Sequence, residues 1–205
     1  FFQGKQTLDL ENKFIKILNN GAYCKAVGSG TDALFLALKA LIPENLSLKI
    51  AVPAMTFVAT VSAVVRAGHV PVVIDVDQQG LLDINDLESK LQSVDCVIYV
   101  TLYGQNEKFS EVVKLVKSSG KLLIEDAAQS DFPASYYFPE AELPDASALS
   151  FDPMKIFSAV GSGGAVITYS SDLHNIVNDL MYHGRQSYRW GINSQLSELS
   201  AFALS

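Results

Sequence analysis

Lys155 lies in the stretch Asp145 to Thr168, DASALSFDPMKIFSAVGSGGAVIT, with Ser150 before it and the turn Gly161-Ser162-Gly163-Gly164 just after it. Two short apolar runs flank the lysine, so its amine is carried on a tight connection between strands into a sheet-bounded cleft. There an ammonium is easily desolvated and becomes a nucleophile, which makes Lys155 a Schiff-base candidate. A lone lysine is far more often a solvated surface residue. What the rest of the chain places around Lys155 therefore decides the matter.

Three other segments carry side chains suited to such a site. Gly28-Ser29-Gly30-Thr31-Asp32 follows one apolar run and opens another, and glycines before a hydroxyl residue at a helix start leave free N–H groups and a positive dipole end for a phosphate. An ordinary Ser/Thr/Asp helix cap has the same letters. Phe57, in Pro53-Ala54-Met55-Thr56-Phe57, could stack on a planar ligand or belong to the core. Glu125 and Asp126 end the apolar run KLLIED, which puts at least one carboxylate at the mouth of a sheet, either as a helix cap or as the partner of a cationic ligand atom such as a protonated pyridine nitrogen. Anchor, aromatic plate, carboxylate and amine, in that order, are what pyridoxal 5'-phosphate requires.

The bulk properties narrow the alternatives. The chain has 205 residues, 49% hydrophobic and 18% charged, enough for one sizeable core. Its net charge of -7 excludes a general nucleic-acid binder, and no basic run contradicts this. Cys24 and Cys96 each sit in an apolar run, as buried free thiols of a reducing compartment would, and the scattered His69, His174 and His183 give no metal-ligand spacing. No stretch is apolar for long enough to span a membrane, and the N-terminus lacks a secretory signal, so the cytoplasm is expected. The chain opens without a methionine and stops inside the helix-like run Gln195 to Leu204, so material is expected to be missing at both ends.

The elements that would position these residues alternate along the chain. Helices are predicted over Leu8–Leu18 (with Leu8, Phe14, Ile15 and Leu18 on one side), Gly28–Leu41, Phe57–Ala67, Ile84–Leu91, Lys108–Lys117 and Ser171–Tyr182. Strands are predicted over Ala22–Val27, Lys49–Pro53, Val70–Val76, Asp95–Leu102, Lys121–Asp126, Ala146–Phe151 and Gly164–Thr168, with an irregular segment from Phe132 to Pro144. The strands are continuous apolar runs, as expected where helices cover both faces of a parallel sheet. In such sheets ligands bind beyond the carboxyl ends of the strands.

With GSGTDALFLAL, VPAMTFVATVSAVVRAGHVPVVIDVD, VTLYGQ, IEDAAQS, SFDPMK, GSGGAVIT, HGR and INSQLSEL in order, nearly the whole chain resembles the DegT/StrS family of pyridoxal-phosphate-dependent nucleotide-sugar aminotransferases. The resemblance implies the three-layer α/β/α large domain of fold type I, a mostly parallel sheet of about seven strands with one antiparallel strand. Residues 1–205 would be that domain without its C-terminal small domain. It also implies roles: Lys155 for the Schiff base and proton transfer, Asp126 for the pyridinium nitrogen, Gln129 near the phenolic oxygen, and Phe57 for stacking. Gly30, Thr31, Asp32 and Ser150 would hold the phosphate, joined by Asn193 from the partner subunit of a homodimer. His183 belongs to a family motif without an assigned step. Ser162 stands where the family commonly has an acid, and Met154 where it has glycine. The implied reaction moves an amino group from an amino acid, glutamate foremost, to a keto group of a dTDP- or UDP-linked sugar. A dehydratase or lyase on the same cofactor and a non-catalytic cofactor-binding regulator are the alternatives; a dinucleotide-binding oxidoreductase lacks its glycine fingerprint.

Overall fold

The computed structural model describes residues 1–19, 21–139 and 141–205; residue 140, within the segment read as irregular, lies outside the described residues. Seven strands form one sheet: β1 (Tyr23–Val27), β2 (Lys49–Pro53), β3 (Val70–Ile74), β4 (Cys96–Val100), β5 (Leu122–Asp126), β6 (Ala146–Ser150) and β7 (Gly164–Thr168). Their order is β1-β7-β6-β5-β4-β2-β3, and only β7 runs against its neighbours. The expected mostly parallel sheet with one antiparallel strand is what the chain forms.

Helices cover both faces. The helices α2 (Gly30–Leu41), α3 (Val58–Arg66) and α7 (Ser171–Leu180) pack on one side, around a core that includes Leu34, Leu38, Ile50, Ile98 and Ile124. On the other side, α1 (Lys5–Leu18) and α8 (Glu198–Ala203) close one half of the sheet, and α4 (Ile84–Lys90) and α5 (Phe109–Ser118) the other. Side chains alternate along each strand, so Cys96, Ile98 and Val100 face α2 while Val97 and Tyr99 face α5. The helix α2 is apolar nearly all round, as its sequence suggests, because it meets β6, β7, α3 and α7 together. Both cysteines are buried free thiols.

Several local expectations are corrected. The strand β3 is not covered on both faces: it is the sheet's edge, and Val70 and Val73 are about half exposed. In α1 the buried stripe is Thr7, Leu10, Glu11, Phe14 and Leu18, while Leu8 is 56% exposed. The helix also starts at Lys5, earlier than its apolar spacing indicates, because its cap comes from elsewhere. A one-turn helix, α6 (Ala134–Tyr137), lies within the segment read as irregular.

That cap is Glu198. Its carboxylate accepts hydrogen bonds from the N–H groups of Gly4, Gln6 and Thr7 and from the Thr7 hydroxyl, at 2.6 to 3.1 Å. The same residue sits in the first turn of α8, so one negative charge serves two helix N-termini. Desolvation pushes its carboxyl up, but the bonds from Thr7, Gln6 and Gly4 outweigh it and hold the group down at about 2.

Candidate active site

The site forms where β4, β5 and β6 end and α2 begins. A cavity of about 390 Å³ opens there, within the range of small-molecule sites. Gly30, Thr31, Phe57, Asp126, Gln129, Ser150 and Lys155 all line it. Residues separated by more than a hundred positions thus share one space. Phe57, which sequence alone could equally assign to the core, is 65% exposed. Asp32 and Asn193 do not line this cavity.

The first turn of α2 supplies donors. Ser29 caps the helix by accepting from the Asp32 N–H at 3.1 Å, and the N–H groups of Gly30 and Thr31 have no intrahelical acceptor, so they are available to a ligand. Glycine at position 30 has a steric reason: a Cβ there would lie 2.7 Å from Ser150 Cβ. The end of β6 and the start of α2 therefore converge on one point, with the Ser150 hydroxyl beside those N–H groups.

The turn after Lys155 has a physical explanation position by position. Gly161 has φ +99° with open space around it, a backbone region that side chains disfavour. Ser162 lines the cavity. At Gly164, a Cβ would lie 2.5 Å from the Ser29 carbonyl carbon and 2.7 Å from the Gly30 nitrogen. The glycine lets β7 press against the turn that starts α2.

The two adjacent acids of β5 have opposite surroundings because strand neighbours point to opposite faces. Asp126 faces the cavity from the α2 side, 4% exposed. Its Oδ2 accepts from the Thr60 hydroxyl at 2.6 Å and its Oδ1 from the Ala128 N–H at 3.2 Å. Burial raises its carboxyl above the ordinary range; Thr60, Ala128 and the charge of Lys155 oppose the rise. Glu125 faces away, fully buried, accepting from the Ala134 N–H at 2.7 Å and the Ser147 hydroxyl at 2.6 Å.

Burial pushes the Glu125 carboxyl up to about 7, against the bonds from Ser147 and Ala134. A carboxyl whose folded value lies above its unfolded value of 4.5 adds stability below that value, and this is lost as pH rises through about 7. The linked loss is about 3 kcal/mol above neutrality, with about 1 kcal/mol returned to any amide that mismatches one donor. Glu125→Gln is therefore expected to gain about 2 kcal/mol at pH 8 and to lose about 1 kcal/mol at pH 4. Chemical denaturation of the cofactor-free protein at the two pH values measures it; an equal gain at both would contradict the burial of an ionising group.

Gln129 accepts at Oε1 from the Tyr103 N–H at 2.8 Å, which orients its amide and leaves the NH2 as a donor toward the cavity. Asp32 is held instead at the side of the site, its carboxylate accepting from the Ser194 hydroxyl at 2.9 Å and facing Arg66 at 3.5 Å. Its N–H is committed to Ser29. Ser194 in turn accepts from the Gly28 N–H at 2.9 Å, so the segment that carries exposed Asn193 is fastened to the turn before α2.

Sequence reasoning missed Thr60, Ser194 and Asp152, the last a second acid lining the cavity. A signal existed for Thr60: with Ala63 and Val64 it forms the buried stripe of α3, and a hydroxyl on such a stripe needs a buried partner.

The family model described as the DegT/DnrJ/EryC1/StrS aminotransferase family matches residues 1–204. The chain is 32% identical to the UDP-2-acetamido-2-deoxy-3-oxo-D-glucuronate aminotransferase of Pseudomonas aeruginosa, over 100% of this chain and 58% of that protein. Among solved structures it is similar to S. venezuelae DesV in complex with a ketimine intermediate, with TM-score 0.85, 28% identity, and coverage of 99% of this chain and 56% of that one. It is likewise similar to NtdA from Bacillus subtilis with bound cofactor PMP, with TM-score 0.84, 26% identity, and coverage of 100% and 48%. The chain spans about half the length of the relatives it matches.

Proposed function

Because this chain belongs to the DegT/DnrJ/EryC1/StrS aminotransferase family, we propose that its protein is a pyridoxal-phosphate-dependent aminotransferase that passes an amino group from glutamate to a keto group of a dTDP- or UDP-linked sugar for amino-sugar biosynthesis. The observation that carries this reading is that Lys155 and Asp126 face one cavity together with the first turn of α2. The residues fit the cofactor. A buried carboxylate with an open side suits a protonated ring nitrogen, and Phe57 offers an exposed ring for stacking. The N–H groups of Gly30 and Thr31 and the Ser150 hydroxyl suit a phosphate.

When bound, the cofactor supplies an electron sink for the carbanion left on the amino donor. Everything else falls to this chain. Asp126 would keep the ring nitrogen protonated, and the amide NH2 of Gln129 would donate to the phenolic oxygen. The Lys155 amine would hold the cofactor's aldehyde carbon at rest and, once free, would move the proton from the donor's Cα to that cofactor carbon.

Residues 1–205 serve as the cofactor-binding large domain, and a C-terminal small domain completes the enclosure of the substrate. The active unit is a homodimer in which Asn193 reaches the phosphate bound by the partner subunit. Two observations support sharing: Asn193 is exposed and rigidly fastened through Ser194, and the lining carries Lys155 against the acids Asp126 and Asp152, so a phosphate gains little net positive charge from this chain. No described helix is long and apolar enough to cross a membrane, and the cytoplasm is the proposed compartment.

The test uses the full-length protein. Adding pyridoxal phosphate is expected to give a visible absorption band that glutamate bleaches and a keto-sugar nucleotide restores, and borohydride reduction followed by peptide mapping is expected to leave the cofactor's mass on Lys155. A folded protein with no band, or a label on another lysine, would sink the proposal.

A further inference from the structure

We propose that Thr60 is a positioning residue for Asp126, and that with Thr56 it forms a hydroxyl relay that keeps the carboxylate ionised and fixed toward the cavity. This rests on the aminotransferase reading for its consequence in catalysis, but not for its geometry. Thr60 is fully buried in the first turn of α3, and its Oγ1 donates to Asp126 Oδ2 at 2.6 Å. Thr56, on the cavity wall, lies 2.7 Å from the same hydroxyl. A hydroxyl has one proton, and that of Thr60 goes to the carboxylate, so Thr56 must be the donor between the two threonines. The proton order is therefore set along the chain Thr56, Thr60, Asp126.

The polarity that runs toward Asp126 holds only while Asp126 is an acceptor. Were Asp126 protonated at Oδ2, the chain would have to reverse, with Asp126 donating to Thr60 and Thr60 to Thr56, and the stronger charge-assisted bond to the carboxylate would be given up. Ala128 holds the other oxygen through its N–H, so the carboxylate cannot rotate without losing both bonds. Few charges face Asp126. On the cavity side these are Lys155, which favours ionisation, and Asp152, both from the connection after β6. Glu125, next along β5, points to the opposite face and is bonded there to Ala134 and Ser147. The parts of α2 and α3 that line the cavity contribute Gly30, Thr31, Leu34 and Ala59, none of them charged. With burial acting against it, the carboxylate depends on two hydrogen bonds and one lysine, and the Thr60 bond is the shorter of the two.

The consequence is that Thr60 sets how fully Asp126 is charged at neutral pH, and so how firmly a protonated ring nitrogen is held against it. Two substitutions separate this from simple packing. Thr60→Val keeps the shape and removes the hydroxyl; Thr60→Ser keeps the hydroxyl and removes a methyl group. In the full-length protein without cofactor, carbon-13 NMR of the Asp126 carboxyl, assigned with Asp126→Asn, is expected to titrate about one pH unit higher in Thr60→Val and at the parent value in Thr60→Ser. With pyridoxal phosphate bound and glutamate added, the saturating rate of the half-reaction in Thr60→Val is expected to fall about tenfold with little change in the half-saturating glutamate concentration, and Thr60→Ser to restore it. An unmoved titration in Thr60→Val, or a Thr60→Ser variant that behaves like valine, overturns the proposal. If the protein takes up no pyridoxal phosphate, the function proposed above fails, while the NMR titration still decides the role of Thr60.

Discussion

In Asp126→Asn, catalysis and stability are expected to move in opposite directions. The carboxylate is 4% exposed and its carboxyl is raised by burial in spite of Thr60, Ala128 and Lys155. Since its folded value lies above its unfolded value, ionised Asp126 detracts from stability once pH exceeds that folded value. Asparagine removes the buried charge. It mismatches one of the two donors, worth about 1 kcal/mol, whereas a buried charge without a full partner costs several. The cofactor-free variant is therefore expected to melt at or above the parent's temperature at pH 8. Under the proposed function, asparagine in the full-length protein would no longer hold a ring nitrogen protonated, and the rate of the half-reaction with glutamate is expected to fall by roughly 10²–10³, the usual loss of one preorganised electrostatic partner. Calorimetry and stopped-flow absorbance measure the two arms. A variant that reacts within tenfold of the parent would remove Asp126 from the proposed site, and one that melts lower would show that the charge is not a burden.

Gly164→Ala is expected to be the most damaging change outside the charged groups. Gly164 pairs with Val27 of β1 and with Ser150 of β6, so it is gripped from both sides in the sheet. A methyl group there meets backbone atoms of Ser29 and Gly30 at 2.5 to 2.7 Å, and backbone cannot swing away as the end of a side chain can. Either the turn before α2 or the start of β7 must move. Overpacking of this kind costs about 3 kcal/mol, or roughly 6–12 °C in Tm for a domain of this size. The same displacement pulls the Gly30 and Thr31 N–H groups away from Ser150, so phosphate affinity in the folded fraction should drop as well. Ser162→Ala, two residues earlier in the same turn, is the control and should stay within about 0.5 kcal/mol of the parent. Thermal melts and a phosphate titration check both, and a Gly164→Ala protein as stable as the control would mean that the close approach is not needed.

The strands were legible because each is a compact apolar run bounded by turn residues, and the order of motifs brought Lys155, Asp126, Phe57 and Gly30 to one cavity as expected. What escaped was decided by neighbours far away in sequence. The apolarity of β3 reads like that of β4, yet one lies at the edge and the other in the middle, because strand order is a property of the whole sheet. The need for glycine at 164 depends on Ser29, and the first turn of α1 depends on Glu198. Asp32 looked like a phosphate residue because helix caps and anion sites use the same letters. In the fold its N–H belongs to Ser29 and its carboxylate to Ser194. The split between Glu125 and Asp126, by contrast, follows from strand alternation alone.

Glu198 also bears on the order in which the molecule can be made. The bond from Thr7 to Glu198 spans 191 positions, and β1 pairs only with β7. Of the elements described, α1 and β1 leave the ribosome before the others and are thus among the last to acquire their partners, roughly 10 to 40 s later at ordinary rates of synthesis. Throughout that interval the apolar stripe of α1 and the open edge of β1 stay uncovered, while α2, α3 and the middle strands can already pack. The clamp that ties α1 to α8 makes α1 and β1 the elements of this stretch most in need of protection in a nascent chain.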